Sequence, residues 1–150
     1  MRKKDRDAIR SYFEDSSNLA GGYADELIAP ENIEELAEFL READLKRTPV
    51  TVSGGGTGTA GARIPFGGAV ISMERFNKII GISEEAMSAR VEAGVPVEEF
   101  KNSCEKNNLF YASHPTEPTA FIGGTIATNA SGARSFKYGP TRKHVNRLKM

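Results

Sequence analysis

The run Ser53-Gly54-Gly55-Gly56-Thr57-Gly58-Thr59-Ala60-Gly61 holds the residues best suited to chemistry in this chain. Successive glycines let backbone N–H groups turn inward together, and such a nest binds an anion without any charged side chain. The hydroxyls of Ser53, Thr57 and Thr59 add donors, so a diphosphate is a natural guest. Two named motifs compete for the same residues. Gly56-x-Gly58-x-x-Gly61 has the form of a dinucleotide fingerprint, which needs a helix at once and an acidic residue roughly 20 positions on. The chain instead continues through Arg63-Ile64-Pro65-Phe66-Gly67-Gly68, poor material for a helix. A P-loop needs Gly-Lys-Ser/Thr, and Gly58-Thr59-Ala60 has no lysine. A plain mobile turn between strands is the remaining alternative, although the glycine run with its threonines exceeds what a hairpin needs.

Other reactive side chains are sparse. His114 stands between Ser113 and Pro115, and His144 comes after Thr141-Arg142-Lys143. Either could do acid–base work, but loop histidines in such settings more often serve surface or packing. Neither has a partner at ligand spacing, so no metal is expected, and neither histidine is read as catalytic. Cys104 is the only cysteine, which excludes an internal disulfide and fits a reducing compartment. Arg134, Lys137 and Arg142 form a local basic group, read first as a solvated face. Most of the 15 glycines fall in two stretches, 54–81 and 123–139, as if two pieces of backbone wrapped one ligand.

A chain of 150 residues with 39% hydrophobic and 27% charged residues is globular and long enough for a core. Its 20 basic and 20 acidic residues cancel, so no global field draws nucleic acid or an anionic membrane. No apolar run reaches the roughly 20 residues of a membrane span. The charged stretch Met1–Arg10 has no apolar core, unlike a signal peptide.

The elements that must position the loop are read from periodicity. Residues 5–14 read as a short helix with Ile9, Tyr12 and Phe13 inward. Leu27–Ala29 reads as a strand. Pro30 opens a helix over 31–43, with Ile33, Leu36, Ala37 and Leu40 at helical spacing. Pro49–Val52 is a β-branched strand running into the glycine loop. Ala69–Ser72, Lys78–Ile82 and Met87–Ala93 are further strands. A helix from Pro96 to about Asn107 carries Val97, Phe100 and Cys104 on one face. Residues 114–124 read as irregular, Thr125–Ser131 as a tight helical turn, and Gly139–Arg142 as another turn. Val145–Met150 resembles a strand just beginning, which suggests the front part of a longer protein.

Four segments together resemble one family. Pro49-Val50-Thr51-Val52-Ser53-Gly54-Gly55-Gly56-Thr57-Gly58 resembles the pyrophosphate loop of the vanillyl-alcohol oxidase / p-cresol methylhydroxylase (PCMH-type) flavoproteins. Ala89-Arg90-Val91-Glu92-Ala93-Gly94-Val95 resembles their next signature. Phe121-Ile122-Gly123-Gly124-Thr125-Ile126-Ala127-Thr128-Asn129-Ala130-Ser131-Gly132 resembles the third, and Lys137-Tyr138-Gly139-Pro140-Thr141-Arg142 the fourth. They come in the family's order over residues 15–150. The closest branch holds glycolate oxidase, D-lactate dehydrogenase and D-2-hydroxyglutarate dehydrogenase.

The resemblance implies an α+β FAD-binding domain of two α+β subdomains, about 15–85 and 86–150, the second incomplete, with FAD between them and no substrate domain in this segment. It implies FAD contacts from Ser53, Gly54, Gly55, Gly56, Thr57, Gly58 and Thr59 at the pyrophosphate, and from Pro115, Thr116, Gly123, Gly124, Thr128, Asn129 and Gly132 elsewhere. His114-Pro115-Thr116-Glu117 departs from the family's usual Asp-Pro and is about one residue shorter. Some members attach flavin covalently through a histidine in the first loop; Thr57-Gly58 stands there instead, so noncovalent FAD is expected. The implied activity is oxidation of a small 2-hydroxy acid by hydride transfer to flavin N5. An electron-acceptor subunit is an implied partner, and the cytoplasm, or its face of the inner membrane, the implied location. Rivals are an FAD-binding electron-transfer subunit, an enolpyruvyl-UDP-N-acetylglucosamine reductase-like domain, and a truncated module that binds nothing.

Overall fold

A computed structural model of the chain describes residues 1–113 and 115–149. The expectations for His114 and for Met150 lie outside the described residues. The chain divides into two units, Met1–Phe76 and Asn77–Met150. It mixes helices and sheets, as the α+β expectation requires.

The first unit is built on four strands: β1 (Arg2–Lys3), β2 (Glu26–Ile28), β3 (Val50–Ser53) and β4 (Ala69–Ser72), in the order β1-β2-β4-β3. β2 and β3 both run parallel to β4, while β1 pairs antiparallel with β2. β4 is buried along its whole length, the pattern of a strand covered on both faces. The two-residue period sorts its neighbours. Ile28, Ala69 and Ile71 face helix α2 (Ile33–Leu45) through Phe39 and Ala43, while Leu27 and Val70 meet Ile9 and Ala24 on the other side. Each large apolar side chain taken fully from water there stabilises by roughly 1.5–3 kcal/mol.

Local chemistry corrects several expected boundaries. α2 begins at Ile33 because Asn32 caps it, accepting the Glu35 N–H at 2.8 Å. Pro30 therefore lies ahead of the helix instead of in its first turn. The buried stripe is Phe39 and Ala43 with Leu36 half-buried beside them, whereas Ile33 and Leu40 are exposed. The N-terminal helix is short: α1 (Arg6–Ile9) tightens into a 3-10 turn over Arg10–Phe13. β1 carries no apolar signal. It is held by the Arg2–Glu26 ion pair and by the chain's amino group bonding the Ala29 carbonyl at 3.0 Å.

The second unit opens with a hairpin of β5 (Ile79–Ser83) and β6 (Ser88–Val91), bulged between Ile79 and Gly81. α3 (Val97–Lys106) comes next with Val97 and Cys104 buried, and burial pushes the Cys104 thiol above its usual range. Val95, Val97, Ala120 and Ile122 form the core. Helix α4 spans Ile122–Ala127, earlier than the turn expected over Thr125–Ser131. A short helix α5 (Ser135–Tyr138) and a 3-10 turn (Thr141–His144) complete the unit's elements. Residues 145–149 form no strand, because no described neighbour pairs with them. No described helix is long and apolar enough to cross a membrane.

Candidate functional site

Edge strand β3 delivers the chain to the glycine loop. Its last rung is the Met73 N–H donating to the Ser53 carbonyl at 3.0 Å. Beyond it, among the described residues, no amide N–H of residues 54–61 donates a hydrogen bond within the protein. A stretch of free backbone donors is uncommon where backbone is not fully wetted, and here several of these residues are only half exposed. Gly56 sits at φ +76°, in the left-handed region that a side chain resists. Ser53 is fully buried, and its hydroxyl donates to the Gly54 carbonyl at 3.3 Å. The hydroxyls of Thr57 and Thr59 make no hydrogen bond among the described residues, so they stay available as donors.

Arg63 is the residue that sequence reasoning passed over. Its Nη1 donates to the Gly54 carbonyl at 3.1 Å and its Nε to the Glu14 carbonyl at 2.8 Å, while Nη2 bonds the Ser11 carbonyl. The guanidinium also lies 5.7 Å from the Tyr12 ring centroid. Burial pulls its pKa down, and the Asp15 carboxylate pulls it back up. Asp15 Oδ2 is buried without a partner among the described residues, 3.7 Å from where a Cβ on Gly58 would sit. No motif marks Arg63 in the sequence; only the fold brings it under the loop. The arrangement of free amides above a guanidinium fits a phosphate or diphosphate.

The remaining candidates belong to the second unit and behave differently. Gly123 is a packing glycine: an added Cβ would lie 2.7 Å from Ala93 Cβ, and its N–H bonds the Ala93 carbonyl at 2.8 Å. Gly124 faces open space. Thr128 turns its hydroxyl back to the Gly124 carbonyl at 2.9 Å. Asn129 ends α4 at φ +50°, and its Oδ1 accepts the Arg142 N–H at 3.0 Å. The Gly132 N–H bonds Ser135 Oγ at 2.9 Å. Pro115 is buried and Thr116 exposed. The structure thus gathers Gly123, Gly124, Thr128 and Asn129 on one short helix and its end.

Three buried hydroxyls, of Ser113, Thr125 and Thr141, had no signature in the sequence. Ser113 and Thr141 meet at 3.1 Å, and Thr141 Oγ1 donates to the Ala130 carbonyl at 2.7 Å. Tyr111 beside them is raised by burial, against hydrogen bonds that lower it. In the basic group, Arg134 stacks 4.6 Å over Phe110 and Lys137 lies 4.8 Å over Tyr138, while Arg142 is exposed. His144 is exposed, and no metal-binding cluster occurs among the described residues.

Comparison with known proteins gives the family and the fold. A sequence model of the FAD binding domain family matches residues 24–150. The D-lactate dehydrogenase of Anaerostipes hadrus is 37% identical over 123 residues, covering 81% of this chain and 26% of that protein. The glycolate oxidase subunit GlcD of Bacillus subtilis is 36% identical over 123 residues, with the same coverage of 81% and 26%. Among solved structures, an alkyldihydroxyacetonephosphate synthase shares the fold at a TM-score of 0.83 and 24% identity, over 95% of this chain and 29% of its own. The chain spans about a quarter of the length of the curated relatives it matches.

Proposed function

The chain belongs to this FAD binding domain family, and from that membership we propose that it is the FAD-holding part of an FAD-linked oxidoreductase acting on a small 2-hydroxy acid. The substrate class is that of glycolate, D-lactate and D-2-hydroxyglutarate. FAD, once bound, would supply the redox chemistry as the acceptor, at N5, of the α-carbon hydride. The observation that carries the reading is the run of free amides at residues 54–61 inside the matched segment. Those amides, with Thr57 and Thr59, would grip the diphosphate, and Arg63 would offset its charge. Ser53, being buried and bonded to Gly54, would shape the loop from beneath. Pro115, Thr116, Gly123, Gly124, Thr128, Asn129 and Gly132 would serve the rest of the cofactor. Of these, Thr116, Gly124 and Thr128 have the open surface that contact needs.

The loop has no histidine, so FAD is held noncovalently in this reading. Acid precipitation of the intact protein should release the yellow chromophore into the supernatant; colour remaining in the pellet would contradict it. Anaerobic addition of D-lactate, glycolate or D-2-hydroxyglutarate should bleach the flavin spectrum with one of the three, and bleaching with none would remove the substrate class. The Bacillus relative is by name a subunit, which favours a second reading in which this protein passes electrons on within a complex. Reduction by a partner protein, with no response to any hydroxy acid, would select it.

A further inference from the structure

We propose that Arg63 is a positioning residue for the diphosphate loop, and that residues 11–19 form the clasp against which it holds that loop. This rests on reading residues 53–61 as the diphosphate site. Arg63 engages three backbone carbonyls at once, two from the clasp (Ser11 and Glu14) and one from the loop (Gly54). A planar fork spreads fixed donors over three nitrogens and so spans three separated acceptors in one geometry, whereas an ammonium's three donors radiate from a single nitrogen on a flexible stem. Peptide geometry then orients the loop. No described peptide bond is cis, so the Gly55 N–H points opposite to the Gly54 carbonyl of the same planar unit. With that carbonyl drawn toward the half-buried guanidinium, the Gly55 N–H is turned outward, and Gly55 is exposed.

The clasp continues along the loop. A Cβ at Gly56 would lie 2.5 Å from Arg63 Nη1, so only glycine leaves the guanidinium its place. Asp15 approaches Gly58, while Ser17 and Leu19 crowd Gly61. Asp15 is itself fixed by its Oδ1 accepting the Ser17 N–H at 2.9 Å. The guanidinium bonds neutral carbonyls and no carboxylate among the described residues, so its charge stays unneutralised by direct pairing under the nest. Residues 11–19 precede the segment 24–150 that the family model matches, so this support is read from the contacts of this chain.

The test compares affinities of the intact apoprotein for FAD and for riboflavin, which lacks the diphosphate, in Arg63→Met and Arg63→Lys variants. The proposal expects Arg63→Met to weaken FAD by about tenfold and riboflavin by less than about twofold. Arg63→Lys keeps the charge but not the fork, and should recover less than about a third of the lost FAD affinity. Equal losses for the two ligands would reduce Arg63 to a general structural role and overturn the proposal. So would unchanged FAD binding in Arg63→Met, or full recovery by lysine. If Arg63→Met does not fold, the lysine variant decides by the same two-ligand ratio. A wild-type protein that binds FAD no better than riboflavin would remove the diphosphate reading itself, whatever the variants do.

Discussion

The loop after β3 and the segment from α4 to Gly132 are both rich in glycine, yet they use it to opposite ends. In the loop, glycine frees backbone donors: the amides of residues 54–61 donate no hydrogen bond among the described residues, and Gly56 adopts a left-handed conformation. In the segment, glycine permits contact: Gly123 lets α4 sit against Ala93, and Thr128, Asn129 and Gly132 all bond their own surroundings. Glycine clusters therefore need to be read by where their N–H groups go. Free donors are available to water or to an anion; satisfied donors mark a packed joint.

The comparison can be broken at three positions. Gly123→Ala should cost the most stability, roughly 1–3 kcal/mol, because the new methyl meets Ala93 from both its Cβ and its carbonyl. Urea unfolding would measure it, and an unchanged midpoint would deny the joint. Gly56→Ala should cost about 1–2 kcal/mol for the left-handed backbone. Its larger signature is functional: by displacing Arg63 it should lower FAD affinity about tenfold, which fluorescence titration would detect. Gly124→Ala is the smallest and has the opposite sign. Nothing lies within 4 Å of the added methyl, so helix propensity alone should stabilise the protein by about 0.5–1 kcal/mol. A simultaneous fall in FAD affinity would place the cofactor beside Gly124, and unchanged affinity would strike it from the cofactor contacts.

Much of this was legible in the residues, and the limits have physical causes. The loop was readable as irregular backbone because a run of glycines after a β-branched strand suits neither helix nor sheet, and β4 because its short apolar run is that of a strand buried on both faces. α3 was readable from Val97 and Cys104, both buried as their spacing required. Helix α4 was placed late because Gly123 and Gly124 are poor helix formers, and tertiary contact with Ala93 overrides that preference. The inward face of α2 was misjudged at Ile33 and Leu40 because the sheet takes up only the stripe through Phe39 and Ala43. β1 escaped notice because two charged residues pair through backbone and an ion pair, with no apolar pattern to announce them. Arg63 and the Ser113–Thr141 pair were invisible because both join residues far apart in the chain.

The most direct test of the central claim is amide hydrogen exchange across residues 54–61 in the intact protein, with and without saturating FAD. Rapid exchange is predicted in the apoprotein, where these donors have no partner among the described residues, and clear slowing at residues 54–59 once the diphosphate accepts their hydrogen bonds. Exchange in this loop that FAD leaves unchanged, while FAD demonstrably binds, would contradict it.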